Sequence, residues 1–261
     1  MKYGFIGCGN MGGAIAKALS KATKEIMVSD RSGKAKAFAE ELGIVYSDAE
    51  TVAARCDRIF IAVKPHMVQE VLSPLQKVLG KRKPLLITMA AGMEIAKLEQ
   101  LAAAELPVIR IMPNTPTAIG KGVIPYCRNA LVAEETLKDW REDMRFCGLL
   151  DALEERLIDA ASALSGSGPV FLYMFVEALA DGAVACGLPR AKAMEYAAMT
   201  MAGSAEMLLA TRQHPGALKD AVCSPGGSTI VGVQTLENHG FRGAAMDCVI
   251  DTYKKNKELG K

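Results

Sequence analysis

Histidine, tryptophan and closely spaced cysteines are what this sequence has least of. The 261 residues include three histidines, one tryptophan and seven cysteines, and no two cysteines form a Cys-x-x-Cys pair. The histidines at 66, 214 and 239 are also widely spaced. The sequence therefore shows no zinc-ligand pattern, and we predict no metal site. The cysteines are typical of small apolar side chains in a reducing cell.

A charge bias and a long apolar run are lacking too. Lys and Arg number 31 against 29 Asp and Glu, a net charge of +2, and no basic stripe indicates nucleic-acid binding. The longest uncharged stretch, Ala160–Val176, is interrupted by Ser165–Pro169, so we expect no membrane span. A strand-like run begins at Tyr3 with no targeting peptide before it, and a cytoplasmic protein is therefore expected.

What the first part of the chain does contain is an alternation of short apolar runs with helical patterns. The apolar runs are Tyr3–Ile6, Glu25–Ser29, Arg58–Val63, Leu85–Met89 and Val108–Met112. The helical patterns between them are Asn10–Ala22, Lys34–Leu42, Met67–Leu79 and Ile95–Ala104. Strands that alternate with helices predict a parallel sheet, and uninterrupted apolar runs predict strands buried on both faces.

After about residue 153 the patterns are helical throughout. They are Gly168–Gly187, Arg190–Thr211, Gly216–Val222, Ser228–Asn238 and Gly243–Leu259. Pro169 stands at a plausible first helical position. We therefore predict an α/β domain over residues 1–153 and an all-helical domain over residues 154–261.

Gly7-Cys8-Gly9-Asn10-Met11-Gly12 is a G-x-G-x-x-G motif between a predicted strand and a predicted helix. Gly7 permits a tight turn, Gly9 lets backbone amides approach a pyrophosphate, and Gly12 lets the helix pack close to the sheet. The helix N-terminus then attracts the anion. The alternative is a glycine-rich loop that merely turns the chain, but the strand-loop-helix context favours dinucleotide binding.

Residues after the second apolar run give conflicting signals about the cofactor. Asp30 lies 18 residues after Gly12, where an acidic side chain binds the ribose 2′-hydroxyl and favours NAD. The residues that could hold the 2′-phosphate of NADP are Arg31, Ser32, Lys34 and Lys36. We expect both forms to bind and predict a preference for NADPH, because the phosphate partners outnumber the one acidic residue.

Three further loops follow predicted strands, where ligands bind in open parallel sheets. They are Lys64-Pro65-His66, Ala90-Ala91-Gly92 and Pro113-Asn114-Thr115-Pro116. Small residues let a nicotinamide ring approach the backbone, and Asn114 and Thr115 can hydrogen-bond a substrate. Turn chemistry explains any one loop better, but three at one end of a dinucleotide fold favour a ligand site. His66 is better explained as a surface residue at a helix start than as a general acid.

The helical part has a loop of its own, Cys223-Ser224-Pro225-Gly226-Gly227-Ser228-Thr229, which opens a predicted helix. Successive backbone N–H groups there would form an anion site. Because the loop contains no Lys or Arg, a carboxylate suits it better than a polyphosphate. A simple helix–helix turn, capped by Ser228 or Thr229, explains the residues equally well.

Taken together, these segments resemble the pyrroline-5-carboxylate reductase family over essentially the whole chain. The resemblance rests on Phe5–Met11, Ala62–Pro65, Met89–Gly92, Arg110–Pro116, Leu164–Pro169 and, above all, Leu218–Ile230. It implies reduction of 1-pyrroline-5-carboxylate to L-proline by NAD(P)H, the last step of proline biosynthesis. It also implies a Rossmann domain followed by a helical substrate-binding and dimerisation domain that interleaves with a second subunit's, in a homodimer or a larger homo-oligomer.

The same resemblance implies the site residues. The dinucleotide is expected to contact Ile6, Gly7, Cys8, Gly9, Asn10, Met11, Ala62, Val63, Lys64, Pro65, Met89, Ala90 and Ala91. The substrate is expected to be held by Ser224, Gly226, Gly227, Ser228 and Thr229, with its carboxylate on the loop amides and its imine nitrogen near Thr229. Asp30 departs from the small or amide residue that NADP-preferring members often carry, which bears on the cofactor and not on the reaction.

Hydride addition to a C=N carbon needs neither a nucleophile nor a metal, because the cofactor supplies the difficult step. Two other functions remain open on the residues alone. A hydroxy-acid dehydrogenase would need a Lys or His in the helical half, and the helix after Pro169 has no Lys or Arg before Arg190. A nucleotide-sensing protein would suit the fold, but the intact loop Ser224–Thr229 favours an enzyme.

Overall fold

A doubly wound sheet forms the centre of the first part of the chain in the computed structural model, which describes residues 1–259. Its strands are β1 Tyr3–Ile6, β2 Ile26–Ser29, β3 Val45–Tyr46, β4 Arg58–Ile61, β5 Leu85–Thr88, β6 Val108–Ile111, β7 Gly122–Arg128 and β8 Gly148–Ala152. Their order across the sheet is β3-β2-β1-β4-β5-β6-β7-β8. Neighbouring strands are parallel except β6 and β7, which are antiparallel. The order from β3 to β6 is that of dinucleotide-binding sheets.

The five strands predicted from the apolar runs are buried along their whole length. Alternate residues face the two sides of the sheet, so that Val28 belongs to one hydrophobic cluster and Met27 to the other. Because helices cover both faces, neither face of these strands needs polar residues. The predicted parallel sheet is therefore confirmed.

Eight helices accompany these strands within the described residues. They are α1 Asn10–Leu19, α2 Lys34–Leu42, α3 Ala49–Arg55, α4 Val68–Leu72, α5 Gln76–Arg82, α6 Ile95–Ala102, α7 Glu134–Met144 and α8 Glu155–Ala161. On one face Ile15 of α1 packs in the same cluster as Trp140 of α7. On the other face Val52 of α3 and Leu98 of α6 share a cluster. Burial of these apolar side chains is the main stabilising contribution of the sheet and its helices.

Some elements differ from the prediction. The expected helix Met67–Leu79 is wrong as one element, since a 3₁₀ turn over Ser73–Leu75 separates α4 from α5. Pro74 is the physical reason, because it has no N–H to donate within a helix. β3, α3, β7, α7 and β8 were not predicted. β7 begins at a glycine and contains Pro125, and both residue types are typical of turns.

The rest of the chain is helical, as predicted: α9 Gly168–Ala185, α10 Arg190–Thr211, α11 Pro215–Val222, α12 Ser228–Asn238 and α13 Phe241–Leu259. By compactness the chain divides into a sheet unit, Met1–Ser167 with the chain from Thr252 onward, and a helical unit, Gly168–Asp251. The functional boundary between residues 153 and 154 stays a prediction.

Apolar side chains of the helical unit are mostly exposed. Its buried apolar residues are Ala180 and Ala193, whereas Leu209 is 77% exposed and Met199 is 68% exposed. The segment Glu155–Ala185 has the length and composition of a membrane-crossing helix. An 18-residue stretch within it has a mean hydropathy of 1.3, and 11% of that stretch is buried. Length and composition alone are weak evidence for a span, and an apolar surface that meets another protein has the same composition.

Candidate active site

The glycine-rich turn between β1 and α1 depends on close backbone packing. Gly7 has φ of +100°, which residues with a Cβ rarely adopt. A Cβ on Gly7 would lie 2.5 Å from the carbonyl oxygen of Ala62, and a Cβ on Gly12 would lie 2.5 Å from the carbonyl oxygen of Gly7. Both glycines are therefore needed to bring α1 against the loop after β4.

Gly9, the remaining glycine of the motif, faces open space. A Cβ on Gly9 would have no heavy atom within 4 Å. Gly9 also precedes α1, and no side chain caps this helix. The first N–H groups of the helix therefore lack a side-chain acceptor. An uncapped helix start beside an open cradle fits the pyrophosphate of a dinucleotide.

Asp30 follows β2, and its carboxylate braces the glycine turn. Oδ2 accepts a hydrogen bond from Cys8 N–H at 2.7 Å, and Oδ1 accepts one from Ser32 N–H at 2.7 Å. Burial opposes ionisation of Asp30, but these hydrogen bonds outweigh it and hold its pKa below the usual value. Burial, with the nearby Asp30 charge, raises the pKa of the Cys8 thiol to about 11. This thiol therefore stays protonated at neutral pH.

Arg31 and Glu70 form an ion pair across the space beyond β2. Arg31 Nη2 lies 2.5 Å from Glu70 Oε1, and the two side chains are 68% and 62% exposed. The other predicted phosphate partners, Ser32, Lys34 and Lys36, are exposed. Sequence reasoning missed Glu70, whose one signal was its place in the predicted helix after the Lys64–His66 loop.

A cavity of about 690 Å³ opens beside the glycine turn. Five of the residues predicted to bind the dinucleotide line it, namely Ile6, Gly7, Asp30, Arg31 and Val63. Glu70 lines it as well. The structure thus brings together the ends of β1, β2 and β4 around one space, as expected where parallel strands end at the same edge of a sheet.

The loops after β4 and β5 lie at this same edge of the sheet. Ala62 N–H donates to Ile6 O at 2.8 Å, which holds the β4 loop against the glycine turn. Ala90 is buried, while Met89 and Ala91 are half-buried and lie outside the cavity lining. His66 is exposed in a 3₁₀ turn over Pro65–Met67, which agrees with a surface role. Residues 1–259 contain no group of three or more His, Cys, Asp or Glu side chains able to hold a metal ion.

Asn114, predicted to bind substrate, has both polar atoms of its side chain engaged. It is 6% exposed. Nδ2 donates to Ser165 O at 2.9 Å, and Oδ1 accepts from Val123 N–H at 2.9 Å. These bonds join the loop after β6 to β7 and to a π-helical turn, Ser162–Gly166, a feature frequent at functional sites. A substrate contact by Asn114 stays a prediction, and the observed hydrogen bonds fix the position of its side chain.

The predicted substrate loop connects α11 to α12 within the helical unit. Gly226 has φ of +68°, and Gly227 N–H donates to Ser224 O at 3.0 Å. The turn therefore requires a glycine at 226, whereas a Cβ on Gly227 would meet Ser224 Oγ at 2.5 Å, a side-chain atom that can rotate away, and Ser224 O at 3.2 Å. Gly227 is the N-cap of α12, which no side chain caps, and Thr229 is exposed in its first turn. The structure therefore does not support capping as the role of Ser228 or Thr229.

Two family models match separate parts of the chain. Residues 155–259 match the model described as pyrroline-5-carboxylate reductase dimerisation. Residues 2–92 match the model described as NADP oxidoreductase, coenzyme F420-dependent. The first match contains the substrate loop, and the second contains the glycine turn, Asp30 and Glu70.

Relatives that match along nearly their whole length extend these matches to the whole chain. Pyrroline-5-carboxylate reductase of Escherichia coli (strain K12) is 40% identical over 266 residues, which cover 100% of this chain and 98% of the relative. That of Aquifex aeolicus (strain VF5) is 38% identical over 262 residues, covering 99% and 97%. The crystal structure of Plasmodium falciparum pyrroline carboxylate reductase with NADP bound has a TM-score of 0.91 and 34% identity, covering 100% of this chain and 98% of that one.

Proposed function

The chain belongs to the pyrroline-5-carboxylate reductase family and reduces 1-pyrroline-5-carboxylate to L-proline, and from that premise we propose how it binds its cofactor and substrate. The fold class predicted from the sequence, a Rossmann domain followed by a helical dimerisation domain, is confirmed. The proposed reductant is NADPH, with NADH accepted less well. The proposed substrate site is Ser224–Thr229, with Thr229 as the catalytic residue and Asn114 as a further contact.

Three observations support NADPH. Arg31 lines the cavity and presents a guanidinium suited to a phosphate. Its present partner, Glu70, is exposed, and exposed ion pairs contribute at most about 1 kcal/mol. The Plasmodium falciparum relative binds NADP. Asp30 opposes a 2′-phosphate less than its charge suggests, because its two oxygens already accept hydrogen bonds from Cys8 and Ser32.

The reduced nicotinamide supplies the hydride when it is bound, and the residues of the chain bind and orient the reactants. The uncapped start of α1 binds the pyrophosphate, and Ala62–Pro65 and Met89–Ala91 border the nicotinamide. Backbone N–H groups of Ser224–Ser228 bind the substrate carboxylate. The Thr229 hydroxyl donates a hydrogen bond to the ring nitrogen, and this nitrogen takes up a proton from water as hydride addition at the adjacent carbon converts the imine to an amine. The catalytic role of Thr229 is supported by the position of Gly227, which is the N-cap of α12. The Thr229 hydroxyl therefore does not cap the helix and is left to bind substrate.

The helical part of the chain matches a dimerisation domain, and this match indicates a homo-oligomer. The proposed form is an obligate dimer, or a larger assembly of dimers, in which each active site uses the helical domain of a neighbour. The exposed apolar side chains of that unit support it. A cytoplasmic location is proposed as well, since no disulfide joins any of the cysteines, all of which lie in the described part of the chain, as is usual in a reducing compartment.

Initial rates with 1-pyrroline-5-carboxylate, followed by the absorbance of the reduced nicotinamide, test the cofactor proposal. Both reductants should support turnover, with the higher kcat/KM for NADPH. Asp30→Ser should raise the NADPH to NADH ratio further, because it removes the carboxylate that directly precedes Arg31 and contacts the glycine turn. A ratio that favours NADH and is unchanged in Asp30→Ser contradicts the proposal.

A further inference from the structure

Glu70 pairs with the guanidinium of Arg31 in the proposed cofactor cavity. Both side chains line the cavity beside the glycine turn, and their closest atoms lie 2.5 Å apart. Arg31 is the one Lys or Arg among the residues that line this cavity. A guanidinium bound to a carboxylate uses the same N–H groups that bind a phosphate, so the two acceptors compete for Arg31.

The other carboxylates of the cavity do not share this position. Asp30 accepts hydrogen bonds from Cys8 and Ser32. Asp48 is the N-cap of α3 and accepts hydrogen bonds from the backbone N–H and hydroxyl of Thr51. Glu50 lies in the first turn of the same helix. Glu70 is thus the carboxylate of this cavity that pairs with its cation.

We propose that Glu70 is a specificity-determining residue, whose carboxylate competes with the 2′-phosphate of the cofactor for the Arg31 guanidinium. With NADH, which lacks that phosphate, Glu70 neutralises Arg31. With NADPH, the phosphate takes Arg31 and Glu70 turns into solvent. The exposure of both side chains makes the exchange possible at low energetic cost. This inference rests on the proposed use of both cofactors and adds a residue outside the β2 segment to their discrimination.

Binding of adenosine fragments to the intact oligomer tests it without turnover. Calorimetric titration with 2′,5′-ADP and with 5′-AMP compares ligands with and without the 2′-phosphate. Glu70→Gln should tighten 2′,5′-ADP binding about fivefold, the size of an exposed ion pair, and change 5′-AMP binding less than about twofold. Because the interaction is exposed, the gain should shrink as salt is raised.

Two further variants separate competition for Arg31 from a general charge effect. Glu50→Gln removes the same charge from the same cavity without touching the ion pair, and a smaller gain in 2′,5′-ADP affinity is expected. In an Arg31→Gln background, Glu70→Gln should produce no more than the Glu50→Gln gain. An equal gain in Glu50→Gln and Glu70→Gln, or a full gain without Arg31, overturns the inference.

The effect of Glu70→Gln on 2′,5′-ADP binding does not depend on which reductant the wild-type protein prefers. If wild-type rates favour NADH while Glu70→Gln still tightens 2′,5′-ADP through Arg31, the preference proposal fails and the role of Glu70 stands. If rates favour NADPH and Glu70→Gln has no effect, the preference stands and the role of Glu70 fails.

Discussion

The sheet unit and the helical unit bury their apolar residues to very different extents. In the sheet unit Phe5, Phe60 and Trp140 are fully buried. In the helical unit Ala180 and Ala193 are the buried apolar residues, while Met199 and Leu209 lie largely exposed. The first unit completes a core by itself, and the second has the composition of a core without the burial.

The difference shows how one chain divides its tasks. A Rossmann sheet covered by helices on both faces can hold a rigid cofactor site because its strands are fixed by their own packing. Helices with apolar residues on several sides need a partner surface to exclude water. Stability of the helical unit is therefore expected to depend on protein concentration, as it does in obligate oligomers.

Met199→Glu should have the largest effect, because it tests whether the exposed apolar side chains of the helical unit are buried in an interface between subunits. An unpaired carboxylate buried in an interface costs about 3 kcal/mol or more, so the dissociation constant should rise at least about a hundredfold. Light scattering should then show monomer, and activity should fall with it. Leu131→Glu, at a 52% exposed residue of the sheet unit, is the matched control and should alter neither. A fully active monomer at assay concentration would contradict the proposed assembly.

The second-largest expected difference between the two units is in how much an ion pair contributes to the free energy of unfolding. Arg110 Nη2 lies 2.6 Å from Asp159 Oδ1, with the two side chains 1% and 9% exposed. Asp159→Ala leaves this guanidinium buried without its closest partner, and the free energy of unfolding should fall by about 3–5 kcal/mol.

The matched pair in the helical unit is Asp181 with Arg190, 60% and 54% exposed. Asp181→Ala should cost less than about 1 kcal/mol. Denaturant unfolding of both variants at one protein concentration checks the contrast, and equal losses would show that burial does not separate the two pairs.

Thr229→Ala should lower activity without weakening cofactor binding, because the proposed substrate loop and the proposed cofactor site lie in different units. Loss of a hydrogen bond to the reacting nitrogen costs about 1–3 kcal/mol, so kcat/KM should fall roughly ten- to a hundredfold. Thr229→Ser should retain most activity, because the hydroxyl remains. Dinucleotide binding should change little, since the proposed cofactor residues lie in the sheet unit.

Steady-state kinetics and a thermal melt on the same Thr229→Ala sample decide between catalysis and helix capping. Capping predicts a loss of about 1 kcal/mol in stability with near-normal kinetics. A lowered Tm with unchanged kcat/KM would refute the catalytic role.

Asp30→Asn should have the smallest effect, a loss of stability that is present at neutral pH and disappears at acid pH. Hydrogen bonds from Cys8 and Ser32 outweigh burial and hold the pKa of Asp30 below its unfolded value. Its ionised form therefore stabilises the fold above the unfolded pKa, and this contribution is lost as the pH falls through the folded pKa. Tm measured from about pH 7 down to pH 3 should fall less steeply in Asp30→Asn. Identical slopes would show that the carboxylate does not contribute.

Much of the site could be predicted where a short segment carries its own signal. The roles of Gly7, Gly9 and Gly12 were predicted from their spacing together with the strand before them and the helix after them, because these elements are neighbours along the chain. The buried strands were equally visible as uninterrupted apolar runs. β7 and β8 were missed because β7 contains Pro125 and β8 is a partly exposed edge strand, so neither has the pattern of a buried strand.

By itself the sequence determined which residue types stand at the strand ends, namely the glycines of the first turn, Asp30 with Arg31, and Asn114, and which stand in the loop before Thr229 between two helices. Only the tertiary structure decided which partner each one meets. Arg31 pairs with Glu70, 39 positions away, and Asn114 bonds Ser165, 51 positions away. Helical crossovers return the chain to the same edge of the sheet, and such contacts leave no local pattern, because apolar periodicity specifies which face is buried and not which polar groups meet beyond it.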